Sequence, residues 1–271
     1  MSGPVQPSDA HQLKSCCAAV YQSDFARLLL GDSFHPGATR LTERLGTLLE
    51  FRPGCRVLDV ASGKGESAIF LARHFGCDIV GIDFGAENVA EGTRRAAEAD
   101  VAHLVSFRSG DAEQIGFPDA SFDAVICECA FCTFPDKSKA AAEFARILKP
   151  AGRVGLSDLT RSGPLPTELQ GLLAWIACIA DARPGDEYIS YLMAAGLGNA
   201  EIEKHDEVLA EMVRAVQGKL LATELMVKLK QLDLPGVDLG QAKLLARSAA
   251  EAVRAGLLGY SIITAWKARS C

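Results

Sequence analysis

The chain has no uninterrupted apolar run approaching the roughly 20 residues needed to cross a bilayer. Its opening stretch, MSGPVQPSDAHQLK, lacks the apolar core of a secretory signal. Both absences predict a soluble, cytoplasmic protein. Positive charge is in short supply as well: 28 Lys and Arg stand against 34 Asp and Glu, a net charge of -6 with no basic stripe. That balance argues against nucleic acid or an anionic membrane as partner. Repeats and low-complexity tracts are absent too. Cysteine, in contrast, is plentiful and odd in number, at nine. In a reducing compartment these thiols are available for metal, metalloid or redox chemistry instead of a disulfide framework.

With 271 residues the chain can bury one full core with an elaboration. Residues 1 to about 15 are polar and contain proline, and are expected to be disordered. From Cys16 to Phe51 apolar residues recur at helical spacing (Phe25, Leu28, Leu29, then Leu41, Leu45, Leu48, Leu49), broken by a turn over 31–37. This predicts a tail and N-terminal helical cap over 1–51, ahead of a sheet-containing domain over 52–271. There, strands expected at 56–60, 78–82, 104–108, 122–127 and 153–158 alternate with helices at 65–75, 86–99 and 137–147. Such alternation implies a parallel sheet with helices on both faces. Beyond Thr160 the pattern turns to amphipathic helices, expected at 165–180, 185–195, 206–230 and 240–256. Two late strands, 200–204 and 260–266, suggest an antiparallel pair at the sheet edge, with residues 205–257 inserted between them as a helical layer.

The densest chemical signal is Val57-Leu-Asp-Val-Ala-Ser-Gly-Lys-Gly-Glu66, a buried strand running into a glycine loop and then a helix. Gly63, Gly65 and Ala68 satisfy the G-x-G-x-x-[G/A] spacing shared by sites for adenosine-bearing ligands. The second strand ends in Gly81-Ile-Asp83, where a carboxylate can accept hydrogen bonds from ribose hydroxyls. No second nucleotide half with its own glycine loop is visible, which weakens an NAD-dependent oxidoreductase. Asp59, just before the loop, would repel a pyrophosphate but suits a cationic ligand bearing an amino acid. Asp111, in Gly110-Asp-Ala112 after strand three, is placed to meet the exocyclic amine of adenine. Their bland readings are a capping or solvated carboxylate for Asp59 and a turn residue for Asp111.

Together with the turn Ile147-Leu-Lys-Pro-Ala-Gly152, these motifs resemble those of class I S-adenosylmethionine-dependent methyltransferases, over about residues 20–160 and again at the final strand. The resemblance implies a Rossmann-like, mostly parallel seven-stranded sheet with an antiparallel edge strand, and S-adenosyl-L-methionine as cofactor. It implies cofactor contacts at Tyr21, Asp59, Ala61, Gly63, Gly65, Asp83, Phe84, Asp111, Ala112 and Glu128. Tyr21-Gln-Ser-Asp-Phe25 and Phe34-His-Pro-Gly37 resemble the lid of small-molecule methyltransferases, with His35 either a base or a loop residue bonding the backbone.

Strand four, Ala124-Val-Ile-Cys-Glu-Cys-Ala-Phe-Cys132, carries three thiols toward the edge where such sheets bind ligands. Alternation places Cys127 and Cys129 on one face, with Cys132 just past the strand. A cysteine there is a soft ligand, a nucleophile or a small apolar filler. The segment Cys129-Ala-Phe-Cys-Thr-Phe-Pro-Asp-Lys137, with Leu156-Ser-Asp158 downstream, resembles arsenite methyltransferases. That resemblance implies trivalent arsenic bound by Cys129 and Cys178, with Cys16 or Cys17 as upstream partner and a cellular thiol as reductant. Trivalent arsenic is soft and trigonal-pyramidal, so thiolates can hold it while its lone pair stays free. Catalysis then consists of alignment and exclusion of water. The chain departs from the pattern in its adjacent Cys16-Cys17 pair and in having no cysteine over 205–257. A thiol, selenium or carbon acceptor, as in quinone biosynthesis, stays open, as does a metalloid-sequestering protein. Trp175 reads as core packing, and the mixed charges over 201–230 as a solvated helix face.

Overall fold

The computed structural model describes residues 28–29, 35–170, 174, 177–234 and 237–269. The expected tail and the first part of the cap, with Cys16, Cys17, Tyr21 and Phe25, lie outside the described residues, as does Trp175.

Seven strands form one sheet: β1 (Arg56–Val60), β2 (Asp78–Asp83), β3 (Val105–Ser109), β4 (Phe122–Glu128), β5 (Leu148–Arg161), β6 (Leu197–Lys204) and β7 (Leu258–Lys267). Their spatial order is β3-β2-β1-β4-β5-β7-β6. β1 to β5 pair in parallel, and β7 runs antiparallel to both β5 and β6. The late antiparallel pair is therefore where the sequence suggests, with β7 one strand in from the edge. β1 and β4 are apolar nearly throughout because helices cover both faces; Val57, Leu58, Val125 and Ile126 are all fully buried.

Among the described residues the helices are α1 (Ala38–Leu48), α2 (Glu66–Phe75), α3 (Ala86–Glu98), α4 (Lys137–Ile147), α5 (Gly185–Ala194), α6 (Asp206–Lys228) and α7 (Leu239–Arg254). α1 presses Leu45 and Leu49 onto β5 at Gly155, where an added Cβ would lie 2.5 Å from Leu45 Cδ1. α6 and α7 form the helical layer between β6 and β7. None of the described helices is long and apolar enough to cross a membrane.

Two expectations are corrected. The helix expected over 165–180 is not one helix. Pro164 and Pro166 hold the chain extended, a 3-10 turn spans Thr167–Leu169, and residues 177–178 form a further turn. Each proline lacks an amide donor and biases the residue before it away from helix. Lys149-Pro-Ala-Gly152 does not precede β5 but lies within it: Leu148 pairs with Phe122, then the register shifts so that Arg153 faces Ala124.

Candidate active site

The sheet's topological switch lies between β1 and β4, where successive connections run in opposite directions and leave a crevice at the strands' carboxyl ends. A pocket opens there, lined among others by Asp59, Ala61, Gly63, Asp83, Phe84, Asp111, Ala112, Glu128 and Cys129. All are sequence-predicted site residues. Ser62 and Lys64 of the glycine-loop motif, and Thr133 and Phe134 of the Cys129–Lys137 segment, line it as well without having been assigned a role, and Ser67 and Asn88 line it with no motif to announce them.

The glycine loop is shaped by backbone conformations that L side chains resist. Gly63 and Gly65 have φ of 52° and 80°, and Ala61 reaches 58°. At Gly63 a Cβ would meet no protein atom within 4 Å, so the chain leaves that wall of the pocket open. Gly65 instead serves the back of the loop. It is the N-cap of α2, and its missing side chain makes room for the Phe107 ring of β3.

Asp83 organises the loop. One carboxylate oxygen accepts the Gly63 amide at 2.9 Å; the other accepts the Gly85 amide at 2.8 Å and Asn88 Nδ2 at 3.0 Å. The carboxylate expected to meet a ribose therefore also ties the glycine loop to the start of α3. Asp111 likewise makes a local turn, accepting the Glu113 amide at 2.9 Å while lining the pocket.

Three carboxyl groups converge from β1, β2 and β4. Asp59 is 2% exposed and its Oδ2 has no hydrogen-bond partner. Burial, reinforced by the Glu128 and Asp83 charges, pushes its carboxyl well above the usual range. Glu128 is held by hydroxyls: Thr42 Oγ1 donates at 3.1 Å and Ser157 Oγ at 3.2 Å, with His35 Nε2 4.0 Å away. The His35 ring also lies 3.4 Å from Ser67 Oγ, bridging the segment before α1 to α2.

Beside this pocket the structure brings Cys129, Cys132 and Cys178 together. Strand alternation does not carry Cys129, because β4 ends at Glu128 and Cys129 turns to φ 52°. Cys127 is thereby separated from it and fully buried in the core. Cys132 follows in the 3-10 turn Phe131–Thr133, its amide donating to Asp158 Oδ2 at 2.9 Å. Cys178, from the loop after β5, donates its thiol to the Cys129 carbonyl at 3.1 Å and contacts the thiols of both Cys129 and Cys132. The contact with Cys178 and burial raise the Cys129 thiol; burial and then Cys178 raise Cys132. Asp158, fully buried, is lifted to about 7 by burial and then by Cys178, against hydrogen bonds from Cys132 and Leu159. All described cysteines are free thiols. Among the described residues no group of three His, Cys, Asp or Glu side chains is arranged to hold a metal ion.

A glycine loop, an unpartnered buried carboxylate and a carboxyl-lined crevice define an α/β protein built for a cationic, adenosine-bearing ligand. The family described as methyltransferase domain matches residues 58–156. The 27-O-demethylrifamycin SV methyltransferase of Amycolatopsis mediterranei is 34% identical over 194 residues, covering 65% of this chain and 70% of that enzyme. The arsenite methyltransferase of Halobacterium salinarum is 32% identical over 158 residues, 57% of this chain but only 40% of that enzyme. In fold, a sarcosine dimethylglycine methyltransferase structure from Galdieria sulphuraria superposes with a TM-score of 0.78 at 20% identity, covering 93% of this chain and 98% of that one. The chain belongs to the S-adenosylmethionine-dependent methyltransferases. It is an enzyme, and its cofactor is S-adenosyl-L-methionine.

Proposed function

We propose that the chain methylates a small, soft acceptor, trivalent arsenic, held by Cys129 and Cys178 with Cys132 packed against them. One observation carries this reading: a thiol 49 residues downstream is brought onto Cys129, which itself lines the cofactor pocket. The similarity to an arsenite methyltransferase supports it. Cys16 and Cys17 remain the upstream candidates, and a cellular thiol can complete the arsenic's coordination.

Bound S-adenosylmethionine supplies an electrophilic methyl carbon on a cationic sulfur. The chain's part is to bind, orient and dry the site. Asp59 and Glu128 offer negative charge to a cationic ligand, Asp83 holds the loop against which it lies, and Asp111 and Ala112 close the far end. The thiols are neutral, yet that does not bar arsenic. When arsenous acid exchanges a hydroxyl for a thiol, the thiol proton and the hydroxyl leave together as water, so no net charge is buried. Two sulfur bonds leave the arsenic lone pair free, and Phe131, fully buried beside Cys132, helps exclude water.

The test is methylated arsenic measured by mass spectrometry after incubating purified protein with arsenite, S-adenosylmethionine and a thiol reductant. Cys129→Ser and Cys178→Ser should each lower product at least about tenfold, as loss of a soft ligand requires. No product above the Cys129→Ser control would end the arsenite reading. A second reading, a small carbon or thiol acceptor with the cysteines as packing, is favoured by the burial of Cys132 and Cys178, both 1% exposed or less. Both Ser variants would then leave activity on the true acceptor nearly unchanged.

A further inference from the structure

Asp59 presents to the crevice a carboxyl oxygen, Oδ2, that has no hydrogen-bond partner and no water-facing surface. It stands at the carboxyl end of β1, 2% exposed, on the pocket wall, with Oδ2 unbonded. From β2 it faces Asp83, whose hydrogen bonds go to two backbone amides and an Asn side chain, all neutral. From β4 it faces Glu128, bonded to two neutral hydroxyls, and the Cys127 thiol. The remaining ionisable groups around the pocket are His35, Lys64, Glu66, Asp111 and the Cys129 thiol. Of these, His35 is directed at Glu128, and the Lys64 charge acts on Glu91 outside the pocket. Asp59 therefore has no bonded counter-charge from the described chain.

A proton or a cation must supply what this carboxyl lacks. S-adenosylmethionine carries a sulfonium and an ammonium against one carboxylate, a net charge of plus one. S-adenosylhomocysteine, its demethylated product, has lost the sulfonium charge and is neutral overall. We propose that Asp59 is the residue by which the pocket tells cofactor from spent product: the cation displaces a proton from Asp59 on binding, and Asp59 takes a proton back from solvent once the methyl group has left. The charge inside the pocket is thus the same with proton alone, with cofactor, and with product plus proton. Only the state with product and an ionised Asp59 is out of balance, and that state favours release.

The direction of the pH effect follows. Burial and the flanking carboxylates make Asp59 hold its proton more tightly than an ordinary carboxyl in the ligand-free protein. A bound cation favours the ionised form, so cofactor affinity rises with pH, by at most about tenfold per pH unit for one displaced proton, until the ligand-free group has titrated. Product affinity does not gain in the same way. This inference holds for any methyl acceptor and is unaffected if the arsenite reading fails.

Calorimetric titration of the full chain with each ligand tests it, at three pH values and in two buffers of different ionisation enthalpy. The expected result is release of up to one proton with S-adenosylmethionine, fewer with S-adenosylhomocysteine, and a ratio of affinities that climbs with pH. In Asp59→Asn the difference in proton release vanishes and the ratio becomes flat. Equal proton release by the two ligands in the unaltered protein would overturn the proposal, and this comparison needs no variant to fold. A pH-dependent ratio retained by folded Asp59→Asn would overturn it equally.

Discussion

Phe107 offers the sharpest quantitative test of how the cofactor loop is built. Its ring rests on three glycines from different elements: Gly65 of the loop, Gly81 of β2 and Gly92 of α3. A Cβ at Gly65 would lie closer than 3.0 Å to two ring carbons, and so would one at Gly81. The two positions differ in backbone. Gly65 has φ of 80°, whereas Gly81 is in ordinary strand conformation. Overpacking a filled site costs about 1–3 kcal/mol, and a left-handed conformation costs an L residue about 1–2 kcal/mol. Gly81→Ala should therefore lose about 1–3 kcal/mol, and Gly65→Ala about 2–5 kcal/mol. Repeating both in a Phe107→Ala background removes the ring and so separates the terms. Gly81→Ala should then become nearly neutral, since Ser62 Oγ, 2.7 Å from the added Cβ, can rotate away. Gly65→Ala should keep the backbone cost of about 1–2 kcal/mol. The assay is equilibrium urea unfolding of the six proteins, read as a double-mutant cycle. Strict additivity, with no coupling between either glycine and Phe107, would refute the packing argument.

Two further outcomes test the surroundings of the thiols. Lys137, 5% exposed, donates to the Phe134 carbonyl at 3.0 Å and pairs with Asp181 in the loop that carries Cys178. Lys137→Met should cost about 2–3 kcal/mol in urea unfolding, below the 3–5 typical of a broken buried pair because Arg183 still holds Asp181 at 2.5 Å; a loss under 0.5 kcal/mol would show that the pair is not a latch. Tyr260, fully buried, donates to the Ser157 carbonyl at 3.1 Å, an oxygen that also accepts the Cys129 amide. Tyr260→Phe should cost only about 1 kcal/mol, because that carbonyl keeps a partner; a loss of several kcal/mol in thermal or urea unfolding would contradict this.

The sheet and the glycine loop were readable because their signals are local: apolar runs of strand length, glycines where φ is positive, and carboxylates at the carboxyl ends of β1 and β2. The antiparallel pair β6 and β7 was readable as two late strands that follow the alternating strand–helix units and flank one helical insertion. Other features depend on long-range geometry. Nothing in Gly81-Ile-Asp83 says that Asp83 bonds Gly63 and Asn88, since those bonds form only once the loop and α3 meet. Alternation along β4 failed at Cys129 because the strand stops one residue earlier and the chain turns left-handed. The apolar spacing after Thr160 has helical period, but Pro164 and Pro166 lie at its start and their helix-breaking effect prevails there. The meeting of Cys178 with Cys132 had no local signal at all. It follows from the loop after β5 folding back over the 3-10 turn.

Methylation of trivalent arsenic here requires that thiols at this pocket hold the acceptor. Arsenic X-ray absorption of the stoichiometric complex with arsenite, in unaltered protein and in Cys178→Ser, measures that directly. Thiol binding predicts sulfur around arsenic in the unaltered protein and replacement of at least one sulfur by oxygen in the variant. An identical sulfur shell in both proteins, or a shell of oxygen alone, would contradict it.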